Sequence, residues 1–392
     1  MIAGASLLEC FRARDVSLVT GVPCSYLNGV IGAAIAEPEV RYLVATSEGE
    51  AVGMAIGTWL GGGSPLVLCQ NSGLGNMVNP LSSLAYPCRT PFPILCSWRG
   101  QPGVTDEPQH ELMGPITPRL LRLLELESAT LPRDEAELEP LAAVAEEAMT
   151  RRRLPFCLLV ERGSIDDAPV AEPEPRRRLR GRLVRLDGER QLARVDALER
   201  LLAEVEDDAA IVATTGKTGR ELYTLADRRQ HFYQVGAMGC ASAVGLGIAL
   251  QTPRPVVVLD GDGAALMKLG NMATVGAAAP ANLVHVLLDN GVHDSTGGQR
   301  TAAGTVSFPD VAIACGYRSA VSCAAGRDFD EALAAATAEP GPHLVHLRIR
   351  QGSLEPLGRP KIHPSEVARR FRDFVTDVPA AERARAAVEA RA

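Results

Sequence analysis

Short apolar runs alternate with helical segments twice along this chain, once on each side of a block rich in proline and arginine, and this repetition is what most limits the fold. In the first part, residues 16–20, 42–45, 65–70, 92–97 and 156–161 read as strands, with a helical run over 48–60. In the second part, 211–214, 255–259, 283–289 and 344–349 read as strands, separated by helical stretches such as 241–251 and 329–338. Parallel strands need a crossover, usually a helix, so alternation of this kind predicts parallel sheets covered on both faces. Aromatic residues make up only 4% of the chain, so the cores must be built from Val, Leu, Ile and Ala. That composition suits strands buried on both sides by helices.

Between the halves, Ala171-Glu172-Pro173-Glu174-Pro175 runs into Arg176-Arg177-Arg178-Leu179-Arg180. Proline and like-charge blocks mark a linker. The expected organisation is a domain over 1–165, a linker over 166–190, a second domain over 191–375 and a tail over 376–392, with 379–392 as a frayed surface helix. Net charge is -7 and the only lysines are Lys217, Lys268 and Lys361, so the short basic block reads as solvated linker and no nucleic-acid partner is expected. No run reaches the roughly 18 apolar residues of a membrane span, so no membrane partner is expected either. Glu9, Arg12, Arg14 and Asp15 interrupt the first fifteen residues, which argues against a signal peptide. Nine cysteines are scattered without a C-x-x-C pair, and several sit in apolar runs, which fits free thiols in a reducing cytoplasm.

The apolar segment Val256-Val257-Val258-Leu259 runs directly into Asp260-Gly261-Asp262-Gly263-Ala264. Flanking glycines let the backbone approach an anion, while the carboxylate wants a hard cation; Mg²⁺ bridging Asp262 to a diphosphate satisfies both. The next apolar segment ends in Asp289-Asn290-Gly291-Val292, with Asn290 28 positions after Asp262. One strand–helix–strand unit would bring both residues to the same sheet edge. Gly-Asp-Gly alone reads equally as an ordinary turn; the Asn at the following strand's end is what makes the pair specific.

This pattern resembles the thiamine diphosphate signature, with Asp289 in place of that family's first Asn. The resemblance implies Mg²⁺ ligands at Asp262, Asn290 and the carbonyl of Val292, with Gly261, Gly263, Ala264, Thr215 and Gly216 along the cofactor. Gly236-Ala237-Met238-Gly239 is similar to the family's Gly-x-Met-Gly segment. There Met238 would be the apolar wedge that bends the cofactor, and the carbonyl of Gly236 would accept from its aminopyrimidine; by composition alone Met238 reads as core. Thiamine chemistry also needs one carboxylate to stabilise a proton on the pyrimidine ring. Glu48, in Ser47-Glu48-Gly49-Glu50-Ala51, stands at the matching position, and Glu50, two residues on, should face away on a helix. Gln70-Asn71-Ser72-Gly73-Leu74-Gly75-Asn76 falls where the family has a Gly-rich cofactor loop, which implicates Asn71, Gly73 and Leu74.

Longer relatives carry a central domain between the two halves, for which this linker leaves no room. The implied fold is therefore α/β, with two thiamine-diphosphate-binding-fold domains, each a parallel sheet with helices on both faces. The length is similar to that of short members acting on phosphonopyruvate or sulfopyruvate. Thr20-Gly21-Val22-Pro23, Trp98-Arg99-Gly100-Gln101-Pro102-Gly103, Asp106-Glu107-Pro108-Gln109-His110, Thr214-Thr215-Gly216-Lys217-Thr218, His293-Asp294-Ser295-Thr296-Gly297-Gly298-Gln299 and Leu357-Gly358-Arg359-Pro360 resemble the phosphonopyruvate decarboxylase family in particular. Cys24 stands where other members carry Asp. The resemblance implies decarboxylation of 3-phosphonopyruvate to phosphonoacetaldehyde through a thiamine ylide and enamine, in phosphonate natural-product synthesis. Ser25, Asn71, Arg99, His110 and Thr296 are the candidate substrate contacts, Arg99 gripping the phosphonate in bidentate fashion. Asp294-Ser295-Thr296 is expected to open a helix facing an anion, and Glu48, His110, His293 and Asp294 are the catalytic candidates, either histidine serving as the acid. Ordinary roles stand beside these: a surface charge for Arg99, a satisfied loop histidine for His110, a helix cap for Asp294. A homodimer or homotetramer with active sites between chains is implied.

Sulfopyruvate decarboxylation is the nearest rival, and that enzyme is often divided into two subunits; another 2-oxo acid decarboxylase or carboligase is a further one. A nicotinamide dehydrogenase would need Gly-x-Gly-x-x-Gly after a strand, and Gly245-Leu246-Gly247 lacks the third glycine. An inactive partner subunit would lack Glu48 or Asp262, and both are present.

Overall fold

Strands buried on both faces carry near-continuous apolar runs, and the longest such runs of the chain occupy the centres of two separate sheets. The protein, seen in a computed structural model, is described over residues 1–167 and 180–377. It divides into two compact units, Met1–Trp59 with Gly63–Pro175, and Leu60–Gly62 with Arg176–Ala392.

The first unit holds β1 (Val16–Gly21), β2 (Arg41–Val44), β3 (Ser64–Gln70), β4 (Pro93–Ser97), β5 (Glu127–Thr130) and β6 (Phe156–Val160), in the order β2-β1-β3-β4-β6-β5. All neighbours are parallel. The second unit holds β7 (Arg182–Arg185), β8 (Ala210–Ala213), β9 (His231–Tyr233), β10 (Val256–Gly261), β11 (Leu283–Asp289), a small antiparallel hairpin of β12 (Val292–His293) and β13 (Gln299–Arg300), then β14 (Ser319–Cys323) and β15 (His343–Arg348). Its main sheet is also wholly parallel, in the order β7-β14-β15-β11-β10-β8-β9. With β7 set aside, the two orders are the same: β8, β9, β10, β11, β14 and β15 stand where β1 to β6 stand in the first unit. In each sheet the chain first steps outward, from β1 to β2 and from β8 to β9, and then crosses back to β3 and β10, which leaves a reversal between β1 and β3 and between β8 and β10. Ligands of doubly wound sheets bind outside the carboxyl ends of strands at such reversals.

The cores follow the composition. Leu66, Val67 and Leu68 of β3 and Val256 to Leu259 of β10 are fully buried, and the interior is dominated by Val, Leu, Ile and Ala. The nine cysteines are free thiols, seven of them buried. Among the described residues no helix is long and apolar enough to cross a membrane.

The two-sheet α/β fold is the one expected; the differences lie at the sheet margins. Residues 182–185, expected as linker, form the edge strand β7, whose two arginines look out while Leu183 and Val184 pack half-buried. An edge strand of four residues flanked by charges leaves little apolar pattern to read. Strands β5, β9 and β14 also escaped the sequence reading: they are short, and Glu127–Thr130 and Ser319–Cys323 are built largely of small or polar residues. The segments 171–179 and 379–392, expected as linker and frayed helix, lie outside the described residues; the last described helix is Pro364–Thr376.

Candidate active site

In the first unit, the loop after β2 leads straight into the helix Glu48–Leu60, so Glu48 stands at the carboxyl edge of the sheet. Its Oε2 accepts from Asn76 Nδ2 at 2.7 Å. Its Oε1 lies against Gly73 so closely that a Cβ there would come within 2.2 Å of it. Gly73 is therefore needed for room, and the loop after β3 and the carboxylate are fitted to one another. Glu50 takes the structural part: fully buried, its Oε2 accepts from the backbone N–H and the hydroxyl of Thr46 at 2.6 and 2.5 Å. Leu74 is fully buried.

Three of the expected substrate contacts are already engaged. Asn71 is fully buried and donates through Nδ2 to Arg99 O at 2.8 Å and Thr117 Oγ1 at 3.0 Å, while its Oδ1 accepts from Arg99 N. It fixes the loop after β4 and has no donor left over for a ligand. Arg99 spends its bidentate edge on Asp106, Nε to Oδ2 at 2.8 Å and Nη2 to Oδ1 at 2.5 Å, and stacks over Tyr26 with Cζ 4.9 Å from the ring centre. The same Asp106 carboxylate accepts from the N–H groups of Gly100 and Glu107 at 2.8 Å each. The Arg99 guanidinium, helped by these two N–H groups, holds the Asp106 carboxyl far below the usual range against the opposing effect of burial. Arg99 thus has only its Nη1 side left for an anion. Thr296 lies exposed on the hairpin and donates to Gln299 Oε1 at 2.8 Å. Ser25 is exposed just after β1, and His110 is buried with no partner for Nδ1. Cys24 is part of a chain across three strand ends: Ser97 Oγ donates to its sulfur at 3.0 Å, and the thiol donates to Gln70 Oε1 at 3.3 Å.

In the second unit, Asp262 begins a short helix at the end of β10, and Asn290 follows β11, the strand hydrogen-bonded to β10. Asp262 is almost wholly buried and accepts from Thr301 Oγ1 at 2.5 Å. Burial pushes its carboxyl up, Thr301 pulls it partly back, and the charge of Asp289 pushes it up further. No cationic side chain among the described residues pairs with it. A buried carboxylate without a cationic partner, at the end of the strand paired to the one that Asn290 follows, fits a hard divalent ion. Gly263 makes room for His293: a Cβ there would meet its ring carbon Cε1 at 2.5 Å. His293 therefore lies against the Gly-Asp-Gly turn.

Asp294 is not at the start of an open helix. It lies in a three-residue turn, Asp294–Thr296, that ends in Gly297 and Gly298 at φ 113° and 81°. Its Oδ2 accepts from Arg194 Nη2 at 2.8 Å and from Asn290 Nδ2 at 2.6 Å. Sequence reasoning missed Arg194, which lies 100 positions upstream in an unremarkable helix. It also missed the partners of Asp289, whose Oδ2 takes a hydrogen bond from His346 Nε2 at 3.0 Å while Ser322 Oγ meets His346 Nδ1 at 3.0 Å.

The segment Gly236–Gly239 follows β9 and carries three left-handed residues, Gly236, Ala237 and Gly239, at φ 59°, 43° and 94°. Such a knuckle costs energy at Ala237. Gln234 holds it, donating to the carbonyls of Gly236 and Ala237 at 3.2 and 2.9 Å. Met238 at its tip is half-exposed, unlike a core methionine. After β8, Thr215 and Gly216 lead into the nine-residue helix Lys217–Leu225, which starts without a side-chain cap, and helix N-termini of this kind suit a phosphate. Gly245-Leu246-Gly247, the nucleotide-loop alternative, is buried inside the helix Ala241–Ala249.

Each sheet overlaps one known domain. The N-terminal TPP binding domain of thiamine pyrophosphate enzymes matches residues 1–117, and the C-terminal TPP binding domain matches residues 214–347. A phosphonopyruvate decarboxylase of Streptomyces viridochromogenes is 55% identical over 97% of this chain and 96% of its own length. The chain belongs to the thiamine pyrophosphate enzyme family. A sulfopyruvate decarboxylase of Methanosarcina acetivorans is 30% identical over 94% of the chain and 96% of its own length. Since that relative is undivided, having both halves in one chain does not separate the two activities; the degree of identity does. Among solved structures, the thiamine diphosphate-dependent 4-hydroxybenzoylformate decarboxylase of Rhodococcus jostii superposes with TM-score 0.69 at 14% identity, covering 90% of this chain and 100% of that one. This thiamine enzyme therefore shares that fold.

Proposed function

We propose that this chain is a thiamine diphosphate- and Mg²⁺-dependent carboxy-lyase that converts 3-phosphonopyruvate to phosphonoacetaldehyde and CO₂ without net oxidation. The observation that carries the substrate is the contrast in identity: 55% to the relative named for phosphonopyruvate against 30% to the one named for sulfopyruvate, over nearly the same stretch. When bound, the cofactor supplies the electron sink that receives the pair released as CO₂ departs.

The residues divide the remaining work. Asp262, Asn290 and the carbonyl of Val292 would hold the metal, an all-oxygen set suited to Mg²⁺. The N–H groups at the start of Lys217–Leu225, after Thr215 and Gly216, would take phosphate oxygens. Met238, lifted on its left-handed knuckle, would support the bend of the cofactor. Glu48 would hold the proton on the aminopyrimidine through Oε1, since Asn76 already occupies Oε2. Arg99, steadied by Asp106 and Tyr26, would offer Nη1 to a phosphonate oxygen. His110 carries the buried, unpartnered nitrogen, and we assign it before His293 as the donor of the proton to the carbon that has lost CO₂. The enzyme would work as a homodimer or homotetramer in the cytoplasm, within phosphonate natural-product biosynthesis.

The test is CO₂ release by purified protein with thiamine diphosphate and Mg²⁺, comparing phosphonopyruvate, sulfopyruvate and pyruvate by kcat/KM. Phosphonopyruvate is expected to lead the other two by at least about tenfold, or about 1.4 kcal/mol of transition-state stabilisation. A lead for sulfopyruvate overturns the substrate assignment, and turnover independent of thiamine diphosphate overturns the mechanism.

A further inference from the structure

An asparagine that serves a cation must present its amide oxygen, yet its two amide ends are nearly the same size. Something has to prevent the nitrogen from taking the oxygen's place. At Asn290 that device is visible. Asp294 Oδ2 accepts from Asn290 Nδ2 at 2.6 Å, and Val292 N–H donates to Asn290 Oδ1 at 3.1 Å. An ionised carboxylate accepts hydrogen bonds and cannot donate them, so Asp294 favours the nitrogen end and disfavours the oxygen end.

Asp294 is itself held. Arg194 Nη2 donates to its Oδ2 at 2.8 Å, and Gly352 N–H approaches both oxygens at 3.3 and 3.4 Å. Arg194 is only 6% exposed; its Nη1 donates to Glu221 Oε1 at 3.0 Å and to Gly352 O at 3.2 Å. Glu221 is fully buried and also accepts from Leu354 N–H at 3.2 Å. A chain of charge therefore runs Glu221, Arg194, Asp294, Asn290, with the segment Gly352–Leu354 clasped to it. Burying a guanidinium between two carboxylates brings little net stability, because apolar residues of similar volume would generally do as well. The arrangement is better explained by the orientation it imposes. The backbone at the same place has a separate tether: Arg190 Nη1 donates to Asn290 O at 2.9 Å.

We propose that Asp294 and Arg194 are positioning residues that aim the amide of Asn290 at the metal, with Arg194 as the anchor. The inference rests on the thiamine and Mg²⁺ reading above. It moves Asp294 from the reacting atoms to the ligand behind them, and adds a residue that no local motif contains. Outer partners of a metal ligand are commonly worth ten- to a hundredfold in affinity.

The experiment is calorimetric titration of Mg²⁺ into the metal-free full-length protein in the presence of thiamine diphosphate, for wild type, Asp294→Asn and Arg194→Lys. The urea midpoint of each metal-free protein is measured in parallel. Asp294→Asn should raise the Mg²⁺ concentration for half-saturation about tenfold, and Arg194→Lys, which keeps the charge but loses the fork, about threefold. The loss should fall on the Mg²⁺ requirement more than on kcat at saturating metal. Should Asp294→Asn fail to fold by its urea midpoint, Arg194→Lys carries the test alone. A Mg²⁺ requirement within twofold of wild type in the folded variants overturns the proposal. So does a kcat reduced a hundredfold at saturating Mg²⁺ with the requirement unchanged, which would return Asp294 to the reacting atoms. Absence of Mg²⁺-dependent cofactor binding in the wild type would instead remove the reading on which the inference rests.

Discussion

The two sheets have the same strand order and place their candidate residues at the same four strand ends, yet the candidate carboxylates have different neighbours. After β1 come Cys24 and Ser25, and after β8 come Thr215 and Gly216. After β2 comes Glu48, and after β9 the knuckle with Met238. After β3 comes the Gly73 loop, and after β10 comes Asp262. After β4 comes Arg99, and after β11 comes Asn290. In the first sheet, Glu48 has a single neutral side-chain partner, Asn76, and an oxygen facing a glycine. In the second, Asp262 likewise has a neutral side-chain partner, Thr301, but the acids beside it are tied to basic side chains, Asp289 to His346 and Asp294 to Arg194. A carboxylate that must hold a proton on a ligand has to be available, whereas charges that organise a cation must not move. The fold repeats the positions, and the local partners decide the chemistry.

The sharpest way to break this comparison is to remove the fixed charge. Asp262→Asn should raise the Mg²⁺ concentration for half-maximal thiamine diphosphate binding by about a hundredfold or more, read by calorimetry; an unchanged requirement would place the metal elsewhere. The next effect is steric. Gly73→Ala would put a Cβ 2.2 Å from Glu48 Oε1, so one of them must move. We expect kcat to fall about tenfold to a hundredfold, in line with the sensitivity of catalysis to an ångström of misplacement. Mg²⁺-dependent cofactor binding should be retained, so equal losses of binding and turnover would contradict the division of labour.

A third effect is on stability, and it belongs to the second sheet. His231 in β9 is buried beside Ala226 O and Tyr233, with Nε2 unpartnered, and burial pushes its pKa down to about 4. The unfolded chain, with an ordinary value near 6.5, binds that proton first. Its contribution to stability is therefore complete above pH 6.5 and is lost as pH falls from 6.5 towards 4, by roughly 3 kcal/mol at full effect. His231→Gln should flatten the acid limb of the urea-midpoint profile over that window. A variant profile as steep as wild type would assign the acid sensitivity to other groups.

The sequence carried these features unevenly, for physical reasons. Val256 to Leu259 and the β11 run could be read because burial on both faces demands unbroken apolar residues. Arg182–Arg185 could not, because an edge strand needs only two half-buried side chains. Glu48, Asp262 and Asn290 were legible because each is fixed by local spacing at a strand end. Arg99 was legible as a charge in a loop, but its pairing with Asp106 through two hydrogen bonds depends on how residues 99–107 close on themselves. Asp294 was noticed as a catalytic candidate, but its pairing with Arg194, 100 positions away, left no local sign. Contacts assembled from distant segments leave no periodic or local trace.

On the proposed function, Glu48 would activate the cofactor and would not hold it in place. The most direct measurement is the rate of hydrogen–deuterium exchange at C2 of bound thiamine diphosphate, followed by acid quench and NMR, in wild type and Glu48→Gln. A proton-holding group of this kind contributes about 10² to 10⁴ in rate. We predict exchange slowed by at least about a hundredfold in Glu48→Gln, with cofactor affinity close to that of wild type. Exchange as fast as wild type in the variant would contradict the assignment of Glu48 and with it the contrast between the two sheets.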